Sequence, residues 1–510
     1  MIRRTLDAII RYALDMPAVI YLLIMTGVGF IARNIYLTKA SIWHDEGYTT
    51  MIINLPPSDI IATTANDVHP PLYYLLLHYW QVLFGSSEAA LRGFSVACGL
   101  ATIIVLYFLL RKLFSEKTAR LAVVFTSLAP FLVRYSEEAR PYALAALIAV
   151  IATYLFVLAL ERKKYWLWGL YGLAIAAGLY TQYYLALLVP VHLVYAWFAM
   201  GASKASFLKL LRLPGLWFGG IICIAFFSPW LPSLIAQVTR VNSGFWIPPV
   251  DWHTIPNALS SFMAYSHTTN ILASFIGYDL ASSLGSIEII LAVLFVWYAI
   301  RLAGKQPSKR AAIWLLLSWC LLPMLIIVLL SLKRPVFMDR YFVFVAPAFY
   351  ALLAVYIAET KFSPRKWWAK TALTLATCAV LITGIGAVGA AATHQMGTIG
   401  GVVTNNYRPG DVIVSAELYT FFDFSYYNHT GAPVKLLSAN EFGAYGEWSL
   451  LKGREHLRVA HLHDIQASRV WLVGKTGEHD YYETDTPSTW RLINTWQAGD
   501  SAVRLYEIAQ

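Results

Sequence analysis

Apolar stretches of about 17 to 25 residues recur through the first 392 positions, separated by short polar connections, and a stretch of that length crosses the hydrocarbon core as a helix. Spans are predicted near 17–37, 88–110, 118–135, 141–160, 165–181, 183–200, 213–233, 284–302, 311–331, 340–358 and 369–392, about eleven in all. The run Leu72–Phe84, at about 13 residues, is too short to cross comfortably and is predicted to lie in or dip into the outer leaflet; if it crosses, a second short crossing accompanies it, which widens the count to 11–13. From residue 393 the pattern changes. Arg408-Pro409-Gly410-Asp411 is a turn signal before the apolar run Val412-Ile413-Val414, while 470–473 and 502–506 read as further strands. The expected organisation is a polytopic α-helical membrane part, 1–392, and a small water-soluble α/β domain, 393–510, whose strand order is not readable.

Composition agrees with this pattern. Hydrophobic residues make up 58% of the 510 and charged ones 13%, and the mean hydropathy is +0.56, so the bilayer is the main solvent of this chain. The 31 Tyr and 18 Trp suit headgroup-level anchoring on both faces. The net charge of +10 divides into about +14 over 1–392 and about −4 over 393–510. Most of the excess falls in short connections, in clusters such as Arg162/Lys163/Lys164 and Arg301/Lys305/Lys309/Arg310, which is how topology is written in membrane proteins rather than a nucleic-acid footprint. With the positive clusters inside, the N-terminus is cytoplasmic and 393–510 lies outside; Arg3, Arg4 and Arg11 precede a retained first span. Cys98, Cys223, Cys320 and Cys378 sit in apolar stretches without metal-like spacing, as small buried hydrophobes. Gly384-Ile-Gly386-Ala-Val-Gly389 matches a dinucleotide pattern but lies inside a span with no preceding strand, and reads as small-residue helix packing.

Four constellations carry chemistry, and this topology puts all of them outside. Trp43-His44-Asp45-Glu46 offers adjacent carboxylates, suited to a general base and a group that binds a sugar hydroxyl or a cation, and equally suited to a solvated first helical turn. His69-Pro70-Pro71-Leu72-Tyr73-Tyr74 closes the same loop, its prolines fixing the backbone where the chain returns to the bilayer; His69 alone is also an ordinary polar tip at an interface. Arg134-Tyr-Ser-Glu137-Glu138-Ala-Arg140-Pro-Tyr142 squeezes charges between two apolar helices, where ionisable groups persist by pairing with one another or by lining a polar site. Lys333-Arg334-Pro-Val-Phe-Met-Asp339-Arg340-Tyr341 is a dense basic cluster on a side where cations are scarce, and fits either a headgroup anchor or a bound phosphate.

In this order the four motifs resemble the glycosyltransferase C superfamily, especially bacterial relatives of protein O-mannosyltransferases and of the lipid A aminoarabinose transferase, most clearly over 1–160. Asp45-Glu46 resembles the family's acidic pair, the Pro-Pro-Leu-Tyr-Tyr run its second segment, Glu138-Ala-Arg140-Pro-Tyr142 its Glu-Ala-Arg-x-Tyr segment, and Arg340-Tyr341 its later Arg-Tyr. His69 stands where the aminoarabinose enzymes usually carry a Lys. The resemblance implies an inverting transferase that moves a sugar from a polyprenyl-phosphate donor to an acceptor hydroxyl of a lipid, protein or glycan at the outer face of the inner (plasma) membrane. It implies that Asp45 is the base and Glu46 orients the donor sugar, that His69, Arg140, Lys333, Arg334 and Arg340 bind the donor phosphate, and that His44, Tyr73, Glu138, Tyr142 and Tyr341 bind substrate. A divalent cation at Asp45/Glu46 is a further possibility, with few oxygen ligands in reach. A lipid or polysaccharide transporter and a membrane-anchored binding or sensor protein remain alternatives; the transporter should show repeated halves, and none is visible. The long outer connection 234–283, with Trp246, Trp252, His253 and His267, is expected to cover the site.

Overall fold

The computed structural model describes residues 16–241, 247–265, 287–360, 367–476 and 486–508. Arg3, Arg4 and Arg11, and Trp246 and His267 of the long outer connection, lie outside the described residues. The chain divides into two compact units, one of Met1–Ile35, Gly93–Pro232 and Thr239–Gly389, the other of Tyr36–Arg92, Ser233–Val238 and Ala390–Gln510.

The first unit is helical and membrane-like. Among the described residues six helices are long and apolar enough to cross a bilayer: Glu88–Leu113, Tyr142–Arg162, Pro214–Arg240, Ile287–Lys305, Pro307–Ser331 and Trp368–Ala391. Ala18–Asn34, Tyr165–Leu179, Tyr183–Ala199 and Ala346–Glu359 are apolar but shorter. The stretch expected to span near 118–135 is two pieces, Glu116–Ser127 and Pro130–Arg134, because Pro130 has no N–H to continue the ladder and opens the second piece at its first turn. Trp217, Ile221 and Ile224 remain about two-thirds exposed on one long helix, as lipid-facing side chains are. Glycines set the helix contacts. A Cβ on Gly172 would stand 2.2 Å from the Gly219 carbonyl oxygen, and one on Gly384 2.7 Å from Pro130, so small residues bring these backbones together.

Among the described residues one cation is wholly interior. Arg33 is 0% exposed; its guanidinium donates to Ser136 Oγ (3.2 Å) and to the carbonyls of Gly29 (3.1 Å) and Ser127 (3.3 Å), with Glu137 supplying countercharge. Burial of an arginine inside apolar helices requires this kind of saturation.

The second unit carries a six-stranded sheet with order β3-β2-β1-β4-β6-β5. The strands are β1 (Val412–Ser415), β2 (Val434–Leu437), β3 (Arg458–Val459), β4 (Arg469–Lys475), β5 (Trp490–Ala498) and β6 (Ser501–Ile508). β3, β2, β1 and β4 pair in parallel, while β4–β6 and β6–β5 are antiparallel. β5 and β6 join through Gly499-Asp500, a two-residue hairpin connection whose first position needs the left-handed backbone that Gly499 adopts (φ +56°). Val414, Val470, Leu472, Trp490 and Tyr506 form the core beneath the sheet with Leu462. The three strands expected from sequence are β1, β4 and β6.

The unit also takes in Tyr36–Arg92. It holds helices His44–Ile53, Pro57–Asn66 and Leu72–Phe84, with Pro57 in the first turn of the second. The third has the 13 residues expected; Pro71 precedes it and Gly85, at φ +86°, ends it.

Candidate active site

The acidic helix His44–Ile53 begins where Trp43 leaves extended backbone (φ −101°, ψ 170°), with Asp45 and Glu46 in its first turn, where carboxylates meet the positive end of the helix dipole. It packs on helix Leu418–Tyr427 through Gly47, at which a Cβ would lie 2.6 Å from the backbone carbon and oxygen of Phe422. The entering strand of chain is also fixed: the Ser41 N–H donates to the His394 carbonyl (2.9 Å) and the Ile42 N–H to Tyr427 Oη (2.6 Å).

The two carboxylates have different surroundings. Glu46 is 0% exposed, and both its oxygens accept from the Arg92 fork, at 2.8 and 2.6 Å. Arg92 also donates to the carbonyls of Leu37 (2.5 Å), Ala40 (2.9 Å) and Ser41 (3.1 Å), so one buried guanidinium ties the loop before the helix to the helix itself. Such a bidentate pair fixes geometry as well as charge. Asp45 keeps a side chain 11% exposed, 3.5 Å from His44 Nε2. His44 Nε2 lies 2.7 Å from Glu447 Oε1, on the short turn after the second strand. His44, Asp45 and Glu447 each present one ligand atom, all within 4.8 Å of one another. Among the described residues these three are grouped so that they could hold a metal ion, while Glu46 of the Asp45/Glu46 pair faces the Arg92 guanidinium.

His69 and Tyr73 belong to the same unit. Asp67, two residues before His69, stands beside Tyr48 of the acidic helix; burial together with the Asp67 charge raises the Tyr48 hydroxyl well above its usual range. His69 is half-buried and Tyr73 is fully buried against Tyr74, with ring centroids 5.9 Å apart.

Apart from His69, the predicted phosphate-binding residues lie in the first unit, on two segments that a single helix touches. Glu138 is buried and pairs with Arg134 at 2.5 Å; Arg140 and Tyr142 are each 3% exposed. On the second segment Lys333 is exposed, Arg334 and Tyr341 are half-buried, and the half-buried Arg340 guanidinium lies 5.8 Å from the Tyr341 ring. Helix Thr254–Ala264 and its cap residue reach both. Tyr265 Oη accepts from Arg134 Nε (3.1 Å), and Ser261 Oγ donates to Asp339 (3.5 Å). This part of the long connection is thus packed between the two charged segments.

Sequence reasoning missed Arg92, Glu447 and a buried histidine cluster. Arg92 carried a signal, being a cation within an apolar helix. Glu447, which the chain places about 400 positions from His44, carried none. The third is His394, whose ring contacts Asp500 (2.9 Å) and Asp423 (3.3 Å), with Lys475 3.9 Å from Asp423.

Comparison with known proteins bears on this arrangement. Residues 68–232 match the family described as dolichyl-phosphate-mannose-protein mannosyltransferase. A protein of Aquifex aeolicus (strain VF5), described as uncharacterized, is 25% identical over 162 residues, 32% of this chain and 31% of that protein, so the match spans about a third of the relative's length. The crystal structure of ArnT from Cupriavidus metallidurans in the apo state aligns at a TM-score of 0.61 and 13% identity, covering 96% of this chain and 98% of that one. The same protein bound to undecaprenyl phosphate aligns at 0.59 and 14%, with the same coverage. The Archaeoglobus fulgidus oligosaccharyltransferase, tethered with an acceptor peptide, aligns at 0.51 and 14%, covering 90% of this chain and 69% of that one. Over nearly its whole length the chain thus shares its fold with ArnT, and over 68–232 its sequence matches the mannosyltransferase family model.

Proposed function

We propose that this protein is an inverting glycosyltransferase that moves a sugar from a polyprenyl-phosphate donor to an acceptor hydroxyl, from an eleven-span arrangement in the inner membrane with its acidic helix facing outward. The observation that carries the reading is the asymmetry of the acidic pair. Both oxygens of Glu46 are held by Arg92, whereas Asp45, one residue earlier, keeps its side chain 11% exposed beside His44, on a helix held from both sides. Support also comes from the undecaprenyl phosphate bound to a protein of the same fold.

In this mechanism Asp45 accepts the acceptor hydroxyl proton as that oxygen attacks the anomeric carbon; the bond from that carbon to phosphate oxygen breaks, and polyprenyl phosphate leaves with the electron pair. The leaving group needs charge stabilisation more than a proton, a task for Arg140 and Arg340 with Lys333, Arg334 and His69. Tyr73, Glu138, Tyr142 and Tyr341 shape the substrate surroundings. Glu46 acts one step back, holding Asp45 in place through Arg92 rather than touching the donor. His44 and Glu447 are the residues that would join Asp45 around a divalent cation, which would supply positive charge beside the reacting oxygens.

Asp45→Asn keeps shape and removes proton acceptance. In reconstituted membranes given a radiolabelled polyprenyl-phosphate sugar, turnover falls by roughly 10² to 10⁴ while the donor still binds. Turnover near that of the parent would remove Asp45 from the role of base.

A further inference from the structure

The second unit holds a cleft of about 880 Å³ on another side of the acidic helix, lined among others by Thr50, Asn54, Gln81, Glu88, Ser425 and Tyr426. At about 100° per residue, Thr50, Met51 and Asn54 leave the helix from the side opposite Asp45. The cleft is therefore separate from the group around Asp45, although both are built on one helix. Its volume is in the range of small-ligand sites.

Its lining has a definite chemistry. No Lys or Arg contributes among the described residues, and Glu88 is the acidic member, which argues against phosphates and other anions. Hydroxyls and amides dominate, and several are locked in place. Gln81 Nε2 donates to Asn54 Oδ1 (3.0 Å), and Asn54 Nδ2 donates to the Thr50 carbonyl (2.9 Å). Tyr427 Oη donates to Glu88 (2.6 Å), while Tyr426 Oη donates to the Ser86 carbonyl (2.8 Å) and leaves its ring half-exposed at the cleft. Preset neutral donors and acceptors, one fixed carboxylate and an aromatic face match vicinal hydroxyls and the apolar face of a pyranose ring.

We propose that this cleft binds an uncharged oligosaccharide. Its place in catalysis, as the seat of the glycan part of the acceptor, rests on the glycosyltransferase reading above; the binding does not.

Saturation-transfer NMR on the full-length protein in lipid nanodiscs, with mannotriose, cellotriose and chitotriose as probes, tests it. Transfer to at least one trisaccharide is expected, kept in Asp45→Asn and lost in Asn54→Trp and Ser425→Trp, which fill the cleft; Asn54 is exposed, so its replacement leaves packing intact. No transfer to any of the three overturns the proposal, as does transfer that survives both filling variants. Loss in Asp45→Asn with retention in the filling variants would seat the sugar at the acidic helix, ending the cleft proposal and leaving the transferase reading standing. The expected pattern in a protein that transfers no labelled sugar would keep the cleft and end that reading.

Discussion

Arg92 and Glu46 show what a buried ion pair does for a neighbouring group. Neither side chain reaches solvent appreciably, at 4% and 0% exposure, so truncating one strands the other's charge in a low-dielectric interior, typically at a cost of about 3–5 kcal/mol. Arg92→Met should therefore lower the unfolding temperature strongly and cut turnover with it, and adding Glu46→Gln should restore part of the stability by removing the stranded charge. An Arg92→Met protein as stable as its parent would show that the fork does not hold the helix. His394 makes a pH-dependent contribution. Burial opposes its charge, but hydrogen bonds to Asp423 and Asp500 outweigh that and push it up to about 9, from 6.5. Its stabilisation is thus fully present below pH 6.5 and lost as pH rises through 9. Thermal melts across that window should fall for the parent and stay flatter for His394→Gln; equal slopes would refute the assignment. At this scale the sequence was legible where consecutive residues share one element, as Asp45 and Glu46 do in the first turn of their helix. It was not legible where a side chain's meaning depends on a partner far along the chain, as for His394 between Asp423 and Asp500.

Among the elements, local punctuation was the reliable signal. Leu72–Phe84 is framed by Pro70-Pro71 and Gly85, residues that stop or start helices through their own backbone chemistry, and its limits could be read directly. β1, β4 and β6 announced themselves as apolar runs. Their order did not, since β1 pairs with β4 across more than fifty intervening residues, and β3 is two residues long. β5 is exposed along most of its length and mixes apolar with polar residues without regular order, so no alternation marks it. The contact between the acidic helix and Leu418–Tyr427 was equally hidden, yet it hangs on one position. Gly47→Ala puts a methyl into immovable backbone at 2.6 Å, a misfit of roughly 1–3 kcal/mol or more. The variant should melt lower and lose turnover without losing donor affinity; parent-like melting would mean that the two helices part without penalty.

For the molecule as a whole, composition and span pattern were enough to reach a helical, membrane-like fold with a C-terminal sheet domain, because the bilayer dictates span length and apolarity. The proposed orientation predicts that tags at Lys163 and Lys305 react from the cytoplasm and tags near Pro57 from outside; protection in the opposite sense at any one site would break the eleven-span arrangement. What the hydropathy pattern could not convey is that Tyr36–Arg92 and Ala390–Gln510 form one compact unit, since two polar segments separated by the membrane helices look independent in sequence. That union bears on the order in which the protein is made. The acidic helix leaves the ribosome early, but Tyr427, Phe422, His394 and Glu447, against which it is fitted, are synthesised near the end. A nascent chain can insert most of its helices while its acidic helix still lacks its seat, which is complete only once the last quarter of the polypeptide has been translated.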